Sequence, residues 1–95
     1  MRIVSDLKTV GTTATAVLTI KGNGKVKKLW AYNAGASDAT LRFCDSDGNA
    51  TSPAIVVTAG GYVIVGELDL PAYEFNGTLY MVASADVEVM VEVEA

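Results

Sequence analysis

The chain has 95 residues, 51% of them hydrophobic and 19% charged, with a formal net charge of −4, no His, one Cys and two Pro. Thirteen Val, thirteen Ala, nine Thr and nine Gly make it too apolar for a disordered segment and too β-branched for a helical bundle. Without His there is no Ser-His-Asp triad, Cys-His pair or imidazole metal site, and a single Cys forms no internal disulfide. One small domain that is not an enzyme and needs no cofactor is the expectation. A domain this size buries only about 60–65% of the surface its unfolded chain exposes. The mean hydropathy of +0.34 then favours an interface shared with copies of itself.

No stretch shows apolar spacing of i, i+3, i+4 and i+7 over three turns, so no long helix is predicted. Residues 1–12 hold charges at Arg2, Asp6 and Lys8 and no apolar core of a signal peptide. They are predicted to form an N-terminal arm reaching a neighbour or an edge strand, and residues 13–95 the β-sandwich domain. Ala14 to Ile20 reads as a strand. Lys21-Gly22-Asn23-Gly24-Lys25 follows, and its Asn-Gly pair predicts a type I′ hairpin turn. The return strand runs from Lys25 to about Asn33, with Trp30 and Tyr32 on one face beside Lys28. Ala34 to Ser37 is a turn, and Ala39 to Cys44 a strand with Leu41 and Phe43 on one face. Asp45-Ser46-Asp47-Gly48-Asn49 is a turn whose side chains bond their own backbone.

Ile55 to Thr58, Tyr62 to Leu68 and a short Tyr73 to Phe75 are further strands, separated by Ala59-Gly60-Gly61 and by Pro71. Gly77 to Ser84 and Asp86 to Glu94 look like a C-terminal hairpin turning at Ala85-Asp86. The last strand alternates Val87, Val89, Val91 and Val93 with Glu88, Met90, Glu92 and Glu94, the period of two of a half-buried strand. Seven or eight antiparallel strands at this spacing predict an all-β sandwich, jelly roll or immunoglobulin-like Greek key.

Several motifs resolve to plain structure. Gly22-Asn23-Gly24-Lys25 lacks the first Gly and the hydroxyl residue of a phosphate loop. Counting from Asp45, Ala50 and Val56 stand where a calcium loop needs Gly and Glu, leaving Asp45, Asp47 and Asn49 as a weak surface calcium site at most. Cys44 reads as a small apolar residue. The sequons at Asn49 and Asn76 read as turn chemistry. A carboxylate pair could be drawn from Asp69, Glu74 and the C-terminal Glu residues, but a chain this short has little room for a walled cleft.

Charge is divided along the chain. Through Arg42 there are seven Lys/Arg and two Asp; beyond it there are nine Asp/Glu and no base. The basic group Lys21, Lys25, Lys27 and Lys28 either pairs across strands with Glu88, Glu92 and Glu94 or meets them on the next copy. With Arg2, Ile3, Val4 and Leu7 these are the candidate subunit or capsid contacts. Trp30 and Tyr32 are candidates for ligand stacking. A pI near 4.5 disfavours nucleic acid, and no apolar run is long enough for a bilayer.

The runs KVKKLWAYNAGASDATLRFCDSDG, IVVTAGGYVIV and FNGTLYMVASADVEVMVEVE resemble small phage and viral structural proteins. The likeness covers residues 25–94 and rests on Asn33-Ala34-Gly35, Asp45 to Gly48, Thr58 to Gly61 and Gly77 to Ala85. It implies a virion component with a β-sandwich or jelly-roll fold, a capsid decoration (cement) protein, often trimeric, made in a host cytoplasm without a signal peptide. It brings no catalytic residues. Its partners would be copies of itself and the major capsid protein or another virion protein. The alternatives are a carbohydrate- or receptor-binding module of a phage tail or head fibre, and a self-assembling filament subunit.

Overall fold

The computed structural model describes residues 1–66 and 73–95. The predicted strand end at Leu68, the break at Pro71 and the carboxylate Asp69 lie outside the described residues. Those described form eight strands and no helix: β1 (Arg2–Val4), β2 (Lys8–Val10), β3 (Thr15–Tyr32), β4 (Ala39–Cys44), β5 (Ile55–Val57), β6 (Tyr62–Gly66), β7 (Glu74–Ala83) and β8 (Val87–Glu94). Every pairing is antiparallel, as the short alternating runs predict.

Hydrogen bonding runs unbroken through β3, so all eight strands belong to one curled sheet. The first half of β3 pairs with β7, which pairs with β4 and then β5. The second half lies between β8 and β6, and β8 carries β1 and β2 on its far side. The inner faces of both halves meet in a single apolar cluster. Val87, Val89, Val91 and Val93 enter it at no more than 1% exposure, which is why the alternation in β8 is so legible. Burying each such side chain contributes about 1.5–3 kcal/mol.

Two predicted hairpins are not formed. Lys21 to Lys25 does not turn back; it lies inside the continuous strand β3. A type I′ turn needs positive φ at both central residues, and here Gly22 has φ +80° while no non-glycine residue is positive. The Gly-Asn chemistry instead makes a bulge. Between Thr19↔Thr78 and Asn23↔Asn76, β3 advances further than β7, and Gly77 on the partner has φ +77°. The strand changes neighbours just beyond it. Lys25 is paired with Glu74 of β7 and Glu94 of β8 together. Gly24 fits there because a Cβ would stand 2.7–2.9 Å from Ile20 Cδ1, Val93 Cγ1 and Phe75 Cζ.

The C-terminal hairpin is likewise absent. β7 is hydrogen-bonded to β3 and β4, and β8 to β3, β1 and β2, so Ser84 to Asp86 carries the chain from one half of the sheet to the other. The predicted short strand Tyr73 to Phe75 merges into β7, which runs on through Gly77.

Residues 1–12 form the edge strand, not an extended arm. Arg2↔Glu94 to Val4↔Glu92 and Lys8↔Val89 to Val10↔Val87 lie on the two ends of β8. At the break between them Ser5 fills the ladder. Its N–H donates to Val91 O at 2.9 Å, and its Oγ accepts from Val91 N–H at 3.0 Å.

Candidate functional site

Position on the outer face follows from register. Between Val26↔Val93 and Lys28↔Glu92 the strand carries one extra residue, Lys27, which resets the alternation. Leu29 and Ala31 then face the core, and Lys28, Trp30 and Tyr32 face outward. Trp30 is opposite Met90 on one side and Ile64 on the other; Tyr32 is opposite Glu88 and Tyr62. Leu7, just before Lys8↔Val89, extends the Met90–Trp30–Ile64 row at its far end. The result is an apolar band across β8, β3 and β6, with a shallow depression of about 210 Å³. Tyr62 is 74% exposed, Leu7 59%, Ile64 51% and Tyr32 43%. Among the described residues, Glu88 is the only carboxylate lining the depression.

The sequence placed Trp30 and Tyr32 on one face with Lys28, and the structure does the same. The Lys28 ammonium lies 5.0 Å from the Trp30 ring centroid, a cation–π contact. Met90 and Ile64 are not singled out as site residues by the sequence, which offers Tyr62 only as one of five aromatics, with Trp30, Tyr32, Tyr73 and Tyr80, for a stacking platform. Their alternation was readable within each strand, but which strands become neighbours is a long-range property.

The charged candidates fall on two strands. Lys21, Lys25, Lys27 and Lys28 lie along β3; Glu88, Glu92 and Glu94 lie on β8. Lys25 is in register with Glu94 and Lys28 with Glu92. Arg2 Nη1 is 3.2 Å from Glu92 Oε2 and its Nε 3.0 Å from Glu94 Oε2; the N-terminal amine is 3.8 Å from Glu94 Oε1. Such exposed pairs contribute up to about 1 kcal/mol each. The acidic side of β8 thus meets Arg2 and the N-terminal amine of its own chain, with Lys25 and Lys28 in register beside it. Ile3 is half-buried opposite Val93, while Val4 is exposed with Leu7.

The Asp45 turn is as the sequence reads it. Asp45 Oδ1 accepts from the Asn49 and Asp47 amides at 2.9 and 3.0 Å, and Oδ2 from the Asn49 side chain at 3.3 Å. These bonds, the Asn49 backbone first, hold its carboxyl below the usual range. Among the described residues no three His, Cys, Asp or Glu side chains are grouped to hold a metal ion. A folded-state value below the unfolded one means the carboxylate stabilises the fold above the unfolded pKa of about 3.9. That contribution disappears as pH falls through the lowered value. An NMR titration should place the Asp45 midpoint below that of an unfolded peptide. The melting-temperature gap between wild type and Asp45→Ala should close as the carboxyl protonates.

Cys44 is buried on β4, and burial first, then the Asp45 charge, pushes its thiol pKa up. It acts as an apolar side chain, not a nucleophile. Glu74 and Glu94 flank Lys25 in the ladder. No helix of the described residues is long and apolar enough to cross a membrane. Comparison with protein-family models, curated proteins and solved structures finds no match for the chain.

Proposed function

We propose that this chain is a non-enzymatic structural subunit of a virus particle, a capsid decoration protein that works as a homo-oligomer and lies on the major capsid protein. The observation that carries the reading is the outer face of the sheet. Leu7, Met90, Trp30 and Ile64 form an apolar row, with Tyr32 and Tyr62 beside it, and its exposed members leave large side chains in water. A contiguous apolar patch rimmed by charge is the surface signature of protein association. The depression is shallow, and among the described residues its lining is apolar except for Glu88, a poor setting in which to wall in a reaction. The turn and strand resemblance over residues 25–94 supplies the virion setting.

A carbohydrate- or receptor-binding reading draws on the exposed Tyr32–Tyr62 pair. It is weakened at Trp30, where the Lys28 ammonium already occupies the ring. A filament built by strand donation is disfavoured by β1 and β2, which complete their own sheet.

Two measurements test the proposal: light-scattering mass across micromolar concentrations, and co-sedimentation with capsid shells that lack the protein. An oligomer that binds shells, with binding reduced at least about tenfold by Trp30→Ser with Tyr62→Ser, is expected. A monomer that ignores shells overturns the reading. Glycan binding lost on Trp30→Ala would favour the carbohydrate module instead.

A further inference from the structure

Among the described residues β1, β2, β5 and β6 each pair with a single strand, and these edges are not equally protected. The β1–β2 edge is broken at Ser5 to Leu7 and carries Arg2 and Lys8. The β5 edge is three residues long and begins just after Pro53. Charge, interruption, proline and brevity are the devices that keep strand edges from pairing with other chains. β6, Tyr62-Val63-Ile64-Val65-Gly66, has none of the first three. Among the described residues it pairs with β3 alone.

The direction of its backbone groups follows from the ladder. Asn33 N–H donates to Gly61 O at 2.9 Å, so the Gly61 carbonyl and, by alternation, the peptide groups of Val63 and Val65 turn toward β3, while Gly61 N–H donates to Thr58 O. The peptide groups of Tyr62, Ile64 and Gly66 point away from β3. The same three residues share the outer face. A Cβ built on Gly66 would meet none of the described residues within 4 Å.

We propose that β6 is a homotypic docking edge, pairing antiparallel with β6 of a second copy about a two-fold axis at Ile64. This rests on the self-assembly reading above and names the surface that carries it. An antiparallel edge is complementary to itself, as a two-fold contact requires. In this register Ile64 faces Ile64 of the other copy, and Tyr62 faces Gly66. The Tyr62 ring lies over the glycine, an aromatic-over-glycine cross-strand pair, and comes within reach of Lys28, the Gly66 neighbour on β3. Tyr62, Ile64 and Gly66 each place both peptide groups in the new ladder, about six hydrogen bonds in all. No charge of β6 opposes its copy, and the Met90–Trp30–Ile64 rows of the two chains become one continuous band.

The test is light-scattering mass with site-directed variants. The wild type is expected at twice the 9.9 kDa chain mass. Ile64→Lys sets two like charges face to face and should weaken the dimer about 100-fold or more, with the circular dichroism spectrum unchanged. Ile64→Cys should oxidise to a disulfide-linked dimer, seen on non-reducing gels, while Val56→Cys, exposed on β5, forms no such cross-link under the same conditions and keeps the wild-type mass in light scattering. A trimer, or a dimer indifferent to Ile64→Lys, overturns the β6 contact and leaves self-assembly standing. A monomer at every concentration ends both.

Discussion

Replacing Phe43 by Ala is expected to lower the unfolding free energy by about 3–5 kcal/mol, the range for deleting a buried aromatic. Phe43 is 1% exposed and stands one residue before the end of β4, opposite Met81 of β7. Its ring stacks on Tyr73, centroids 4.2 Å apart and planes 17° from parallel. Its backbone also ties down the loop that follows: Phe43 N–H donates to Ser52 Oγ at 2.9 Å, and Phe43 O accepts from Thr51 N–H at 2.9 Å. Removing the ring leaves a cavity where the two halves of the sheet share their core. A domain of this size has about 5–15 kcal/mol in total, so the loss is a large fraction of its stability. At about 4–8 °C per kcal/mol, the melting temperature should drop by roughly 12–40 °C. Urea denaturation followed by circular dichroism measures it directly. Phe43→Leu, which fills most of the space, should cost about 1–1.5 kcal/mol. A loss below 1 kcal/mol for the alanine would mean that β4 is not part of the core.

Phe43 also shows what the sequence makes legible. Its alternation with Leu41 is local, and so is that of Val87 to Val93. Each depends only on the two-residue period of a strand with one buried face, and the structure reproduces both. The Asp45 turn is local for the same reason, because its bonds reach no further than Asn49. The hairpin predicted within Lys21–Lys25 is not formed because turn and bulge use the same residues, and the one at Ala85-Asp86 because a short link between two halves of a sheet has the length of a hairpin turn. Glycine with positive φ serves turn or bulge, and the choice between them is made elsewhere in the chain. At Gly22 the deciding partner is Asn76, whose Nδ2 donates to Asn23 Oδ1 at 2.7 Å across the bulge. A turn at Gly22-Asn23 would give up that strand, since β7 pairs with β3 on both sides of the bulge.

The outer face divides along the same line. Trp30, Tyr32 and Lys28 share a strand and were found by counting. Ile64 and Met90 stand beside Trp30 only because β6 and β8 flank β3, a fact of topology rather than spacing. The charge split was visible as a total, basic first and acidic after. That Arg2 bonds both Glu92 and Glu94 required knowing that the first strand lies along the last. Ser5 was passed over because a lone Ser has no pattern; its role appears only where the ladder has a gap.

Asn33, which the sequence marks only as the end of a strand, is central in the structure. It is 1% exposed at the end of β3, and its side chain is fully engaged. Nδ2 donates to Ser37 O at 2.8 Å and to Val57 O at 3.0 Å, while Oδ1 accepts from Gly35 N–H at 2.9 Å. One amide thus ties the end of β3, the turn after it and the end of β5. Asn33→Ala strands the buried Val57 carbonyl and frees the part-buried Ser37 carbonyl and Gly35 N–H, and is expected to cost about 1–3 kcal/mol at any pH. Asn33→Asp has nearly the same shape but replaces the donor with an oxygen facing two carbonyls. The charged form is disfavoured there, so the folded-state pKa of the new carboxyl rises above the unfolded value of about 3.9. The native state then binds the extra proton, and stability falls as pH rises from the unfolded value through the folded one. The deficit of Asn33→Asp relative to wild type should therefore be smallest near pH 3 and grow toward pH 7. Asp45 has the opposite sign, its contribution lost on acidification, but it is present in both proteins and cancels in the difference. Chemical denaturation of wild type, Asn33→Ala and Asn33→Asp at several pH values separates the cases. A flat deficit for Asn33→Asp would show that residue 33 is hydrated, and that the clamp between β3 and β5 is not closed to water.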